Sequence, residues 1–167
     1  MKYLQQVFNK YKQQGKCDPA HAYEMISEFY SLKTGKPCNA KAVFDLITEN
    51  KLQAPTKFDF VDFCFYGTNF GMMMASKNQD ENEYGQFFLL FTYGSYDPQG
   101  TGSVPLNDVL KNMISYFGQM NPNVTKESVE KIVMEHGVQL GSQVDFETFG
   151  KLFKDIYEKL KSAPKSQ

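Results

Sequence analysis

The sequence predicts an all-α protein made of two similar halves, and three observations predict it. Apolar residues recur at helical spacing in eight short segments, separated by polar breaks rich in Gly, Pro and Asn. A polar stretch at 75–83 (ASKNQDENE) divides the eight into two groups of four. Two patterns also repeat about one half-chain apart. Thr56-Lys-Phe-Asp-Phe-Val-Asp-Phe63 matches Ser142-Gln-Val-Asp-Phe-Glu-Thr-Phe149 in one register, and Tyr11-x-x-Gln14-Gly15 matches Tyr96-x-x-Gln99-Gly100. Each half then reads as one unit of two helix-loop-helix elements.

The elements follow in chain order. Leu4, Phe8 and Tyr11 share a face of a first helix over about 2–11, which the polar run 12–19 ends. Met25, Ile26 and Phe29 mark a second helix over about 20–32, followed by the loop LKTGKPCN. Asn39 is placed to cap a third, carrying Val43, Phe44, Leu46 and Ile47. Residues 50–57 form a break, and a fourth helix runs from Asp59 to Phe70. The polar stretch after it reads as a connector with some helical content. A fifth helix covers about Tyr84 to Tyr96, and YDPQGTGSVP is the strongest break in the chain. A sixth covers about Leu106 to Phe117, and GQMNPN is a loop. Thr125 caps the seventh, with Val124 before it and Val129 in its first turns, the spacing of a hydrophobic staple. That helix ends near Gly137, and an eighth runs from Asp145 to Leu160. The domain plan is an N-terminal lobe at 1–75, a linker at 76–83, a C-terminal lobe at 84–160 and a disordered tail at 161–167.

Composition narrows the function. The chain has 167 residues, of which 41% are hydrophobic, including 15 Phe and 10 Tyr, enough for a packed core. Net charge is −1 and every one of the 18 positive charges is Lys. Without Arg there is no bidentate recognition of phosphate or guanine, and no basic stripe suggests nucleic acid. Cys17, Cys38 and Cys64 are odd in number and scattered, as expected of reduced thiols in the cytoplasm. The N-terminus lacks the apolar run of a signal peptide, and the longest apolar run, Phe87 to Phe91, is far too short for a membrane span. His21 and His136 stand at helix boundaries without a paired nucleophile in sequence, and no phosphate loop or zinc spacing occurs. The expectation is a protein that is not an enzyme.

The window Asp97 to Asp108 has the register of a calcium loop. Asp97 holds the first position, Gly102 the sixth, where the chain turns sharply, and Val104 the apolar eighth. Tyr93 and Tyr96 lead into it, and Val109 and Met113 lead out. On these residues the chain resembles the calmodulin superfamily: calmodulin, troponin C and the myosin light chains. The resemblance covers nearly all of 2–160. It implies a two-lobed fold of four EF-hand helix-loop-helix units, paired through minimal β-bridges at Phe58 in loop 2 and at Val104 with Val144 in loops 3 and 4.

The loops themselves have lost most ligands. Loop 1 (about Lys12 to Glu24) and loop 2 (about Lys51 to Asp62) each open with a Lys, whose ammonium repels a cation. Loop 4 (about Gly137 to Thr148) offers no side-chain cage. Only loop 3 keeps candidates, Asp97, Gln99, Thr101 and Asp108 with the Ser103 carbonyl, and just two of these carry charge. No cofactor is expected beyond one weak calcium or magnesium ion there. The resemblance then implies a light chain that clasps an amphipathic, IQ-type helix of a larger protein, with a myosin heavy-chain neck favoured, largely independent of calcium. Candidate groove residues are Phe70, Met72, Met73 and Met74 in the first lobe, and Met113, Phe117, Met120, Met134 and Phe153 in the second. Residues 1–75 hold nine Lys against seven acids and residues 84–160 six Lys against nine acids, so the acidic second lobe suits a basic helix. The alternatives are a weak calcium or magnesium sensor through 97–108, and an EF-hand subunit of an axonemal or dynein complex. No nucleic acid, membrane or obligate homo-oligomer is expected. A cytoplasmic, cytoskeleton-associated location follows from the same resemblance.

Overall fold

Helix formation follows the apolar spacing closely. The computed structural model describes residues 2–38, 40–49, 58–77, 81–121 and 124–161. Among them are eight helices: α1 (Lys2–Gln13), α2 (Ala22–Thr34), α3 (Ala40–Glu49), α4 (Phe60–Lys77), α5 (Glu81–Tyr96), α6 (Leu106–Met120), α7 (Lys126–Glu135) and α8 (Phe146–Lys161). A 3-10 turn (Pro19–His21) precedes α2, and two short strands, β1 (Val104–Pro105) and β2 (Gln143–Val144), complete the set. The all-α class is therefore correct. The expected cap Asn39, the break at 50–57 and the tail at 162–167 lie outside the described residues, as does the centre of the connector, 78–80.

Local chemistry sets the helix ends. Asp59 starts α4: its carboxylate accepts from the N–H groups of Val61 (2.8 Å) and Asp62 (3.0 Å). Asp62 returns the favour, its carboxylate accepting from the Asp59 N–H at 2.9 Å. Thr125 caps α7 as its position requires, its hydroxyl accepting from the Ser128 N–H at 3.2 Å while the Ser128 hydroxyl accepts from the Thr125 N–H at 3.0 Å. Val124 and Val129 are both buried, consistent with the staple. At the end of α2, Gly35 takes φ 69°, and its N–H donates to the Ser31 carbonyl at 2.9 Å. The connector proves mostly helical at its ends, since α4 runs on to Lys77 and α5 begins at Glu81.

The chain forms two compact units, Met1–Gly100 and Thr101–Gln167. The division falls after α5, whereas the repeat places α5 at the head of the second half. The reason is how α5 spends its apolar face. It packs antiparallel along α4, where two glycines make room. A Cβ at Gly67 would overlap the Phe91 ring, and one at Gly71 would fall 2.7 Å from the Phe88 backbone nitrogen. Thr68 and Thr92 face each other across the same seam, hydroxyl to hydroxyl at 3.5 Å.

Aromatic rings tie this pair to the rest of the first unit. Phe63 of α4 stacks on Phe8 of α1 (6.0 Å) and meets Phe91 of α5 edge-on (5.5 Å, 85°). Phe91 in turn meets Phe29 of α2 at 5.1 Å, and Phe87 stacks on Tyr30 at 5.2 Å. Tyr30 lies edge-on to Phe70 at 6.3 Å. The rings form one continuous line through α1, α2, α4 and α5. Burying each Phe is worth roughly 1.5–3 kcal/mol, with about 0.5–1.5 kcal/mol more for each well-placed ring pair. Outside this core, Lys10 of α1 reaches Glu28 of α2 at 2.8 Å.

The second unit packs α6, α7 and α8 around Leu106, Val109, Met113, Phe117, Val129, Val133, Phe149, Leu152 and Ile156, all buried. β1 and β2 pair antiparallel with Val104 opposite Val144, and the Leu106 N–H donates to the Ser142 carbonyl at 2.9 Å. This is the pairing of loops 97–108 and 137–148 that the sequence predicts.

Two substitutions test this packing. Ala favours a helix interior over Gly by about 1 kcal/mol, so Gly67→Ala at a free site would stabilise. Overlap with Phe91 should reverse the sign, to a net loss of about 1–3 kcal/mol in urea unfolding. Thr125→Ala should cost about 1 kcal/mol through the lost cap, read the same way.

Candidate functional site

Loop 97–108 is held by bonds internal to the chain. In the first unit, the Asp97 N–H closes α5 onto the carbonyls of Tyr93 (3.1 Å) and Gly94 (3.2 Å), and the residue is 2% exposed. The Gly100 N–H donates to the Asp97 carbonyl at 3.0 Å. The Gln5 side-chain amide of α1 donates to the Pro98 carbonyl at 2.7 Å, and a Cβ at Gly100 would fall 2.8 Å from the same amide. Gly100 therefore meets two demands, space and a φ of 66°.

In the second unit, the Thr101 hydroxyl donates to the Ser103 carbonyl at 2.9 Å. Two predicted ligand oxygens thus bond each other. Gly102 takes φ 85° at the sharp turn, and Asp108 is exposed in the first turn of α6. Gln99 is exposed as well. Among the described residues, no three His, Cys, Asp or Glu side chains gather where they could hold a metal ion.

Loop 4 is supported by a cap. The Asp145 carboxylate accepts from the Thr148 N–H at 2.8 Å, and this bond holds its carboxyl below the usual range. Gly137 and Gly141 take φ 69° and 83°. The 12–24 segment contains the end of α1, a turn at Gly15 (φ 70°) and the start of α2. Residues 51–57 of the second loop lie outside the described residues. At Phe58, where a bridge is expected, the Cys17 thiol donates to the Phe58 carbonyl at 3.6 Å. The Phe58 ring lies 6.5 Å from that of Phe8.

The predicted groove residues separate by burial. Phe70 and Met73 are in the core of the first unit, Met74 is half-buried, and Met72 is exposed on α4 together with Val61 and Phe65. Met113 and Phe117 are in the core of the second unit. Phe153 is half-buried, its ring 5.1 Å from Phe117 and 6.2 Å from Phe149. Met134 is 58% exposed on α7, and Leu140 and Tyr157 are exposed apolar residues of the same unit. Met120 ends α6, and its side chain lies outside the described set.

A cleft of about 510 Å3 opens in the first unit beside Phe8, Lys12, Cys17, Asp59, Phe60 and Pro98. Much of its polar lining is already committed: Gln5 to Pro98, Cys17 to Phe58, and Asp59 to the start of α4. Burial raises the thiol pKa at Cys17, Cys38 and Cys64 alike, which keeps each protonated and weakly nucleophilic. Each histidine has a carboxylate partner. His21 Nδ1 lies 2.9 Å from Asp18, and His136 Nε2 lies 3.0 Å from Asp155, linking α7 to α8. Lys159 adds to the latter pair, 3.1 Å from Asp155 and 2.6 Å from Glu135. The residues that sequence reasoning missed are Gln5, Gly67 and Gly71, although the Gly67-x-x-x-Gly71 spacing is a readable sign of close helix contact.

No helix among the described residues is long and apolar enough to cross a membrane. Comparison of the chain with protein-family models, with curated proteins and with solved structures finds no match.

The histidine pairs make a pH prediction. Hydrogen bonding to His21 lowers the Asp18 pKa, and bonding to His136 and then Lys159 lowers that of Asp155. A carboxyl depressed in the folded state stabilises above its unfolded pKa, and that contribution is lost as pH falls through the folded value. Asp155→Asn should therefore lower Tm modestly at pH 7, as expected of an exposed ion pair, and the gap to the parent should close below about pH 4. Thermal unfolding across a pH series checks both halves.

Proposed function

We propose that this chain is a calmodulin-like light chain, a four-EF-hand scaffold in two lobes that clasps an amphipathic, IQ-type helix of a larger protein without requiring calcium. The myosin heavy-chain neck is the partner class that the resemblance favours, in a cytoplasmic, cytoskeletal setting. One observation carries the reading: Val104 pairs with Val144 in the register expected of two coupled loops. Loops 97–108 and 137–148 keep glycine turns and share the bridge, and the Thr101 hydroxyl bonds the Ser103 carbonyl, two oxygens a cation in loop 97–108 would need.

The second unit offers the partner an apolar face in Met134, Leu140 and Tyr157, with Phe153 half-buried behind it. Met adapts to varied helix surfaces, and aromatic residues supply rigid contact area. The excess of acids in 84–160 suits a basic helix, and packing carries most of the affinity.

Two measurements test this. A sensor site with a Kd of about 1 μM would add about 4 kcal/mol of stability at 1 mM calcium. The expected result is a Tm unchanged by 1 mM calcium or magnesium; a large rise would move function into Asp97–Asp108. Tagged protein should also recover the same helical partner from its own cell extract with calcium or with chelator. Recovery only with calcium refutes calcium independence, and a dynein or axonemal partner would keep the mechanism and change the named class.

A further inference from the structure

We infer that the cleft beside Phe8 in the first unit is a binding site for a small aromatic zwitterion of the free amino-acid class. This goes beyond the light-chain reading and does not depend on it.

The cleft has an aromatic floor. Phe8 and Phe60 are buried and meet edge-on at 5.5 Å (81°), and Phe58, half-buried, lies 6.5 Å from Phe8 at 34°. Three rings at two inclinations give a planar guest both faces and edges to pack against. Separate parts of the chain fix the walls. Phe8 and Lys12 stand one turn apart on α1. The Cys17 thiol holds the Phe58 carbonyl at 3.6 Å, and the Gln5 amide holds the Pro98 carbonyl at 2.7 Å. The volume of about 510 Å3 is that of a small-molecule site, and an apolar floor under a few polar groups is the usual build of one.

The rim carries one charge of each sign. Lys12 and Asp59 both line the cleft, and among the described residues they form no ion pair with each other or with a third group. Burial has the largest effect on the Cys17 thiol, but Lys12 pulls its pKa down and Asp59 pushes it up, so both charges lie near that thiol. The Asp59 carboxylate spends one oxygen, Oδ1, on the N–H groups of Val61 and Asp62. Its Oδ2 makes no hydrogen bond among the described residues. A guest with a carboxylate for Lys12 and an ammonium for Asp59 satisfies both charges. An aromatic acid or an aromatic amine satisfies one and meets the other as a like charge.

The probe is L-tryptophan, read by its own fluorescence anisotropy because this protein has no Trp. Tryptamine lacks the carboxylate, indole-3-propionate lacks the ammonium, and indole lacks both. The expected result is saturable binding of L-tryptophan with a Kd of about 0.1 mM or tighter, and binding about tenfold weaker for each analogue. Lys12→Gln should erase the preference over tryptamine. Asp59→Asn should erase the preference over indole-3-propionate, and it spares the start of α4 because Asn caps a helix as well as Asp does. Alkylation by N-ethylmaleimide locates the site. L-tryptophan should slow the reaction of Cys17, which lines the cleft, and leave that of Cys38, which does not, at its parental rate. Absence of saturable binding, equal affinity for all four probes, or protection of neither thiol overturns the inference. Charge preferences that survive both substitutions at parental helicity overturn it too. The analogue series and the Cys17 protection are read on the native chain and stand without the variants, and none of these outcomes touches the pull-down that tests the light-chain reading.

Discussion

The close crossing of α4 and α5 is the constraint on which the first unit depends. Two residues without side chains, Gly67 and Gly71, let a helix surface bring Phe91 and the Phe88 backbone to where a Cβ would otherwise stand. That approach puts Phe87 and Phe91 inside the ring line that begins at Phe8 and ends at Phe70. Remove the notch and the rings of α5 lose their partners on α2 and α4 together. Packing of this kind is cooperative, since each ring is oriented by two neighbours.

The same economy appears in the loops. Bonds within the chain hold the turns of loops 97–108 and 137–148. Gln5 secures the Pro98 carbonyl, Thr101 secures the Ser103 carbonyl, and Asp145 secures the start of α8. The Val104–Val144 pairing then couples the two loops of the second unit through backbone hydrogen bonds and two buried side chains. Fixed glycines at positive φ supply the turns.

Much of this was legible in local pattern. The Thr125 cap and its staple, the turn at Gly102 and the helical class all follow from a few adjacent residues, because caps, turns and amphipathic spacing are short-range physics. The candidate groove residues were less legible. Met and Phe at helical spacing look alike whether they face a partner or a core, and only burial separates Met113 and Phe117, which are inside, from Met134, which is outside. Gln5 gave no local signal at all, since its partner Pro98 lies far along the chain.

The assignment of α5 shows where local pattern ends. The repeat of Tyr11 and Tyr96 motifs, and the polar stretch between the halves, place the fifth helix with the sixth. By itself the sequence determined the helices, the Thr125 cap and the turn at Gly102, because each depends on neighbours in the chain. Tertiary structure alone decided which apolar face α5 would meet. Two glycines in α4 and two phenylalanines in α5 fit each other in space, and that complementarity draws α5 into the first unit, Met1–Gly100.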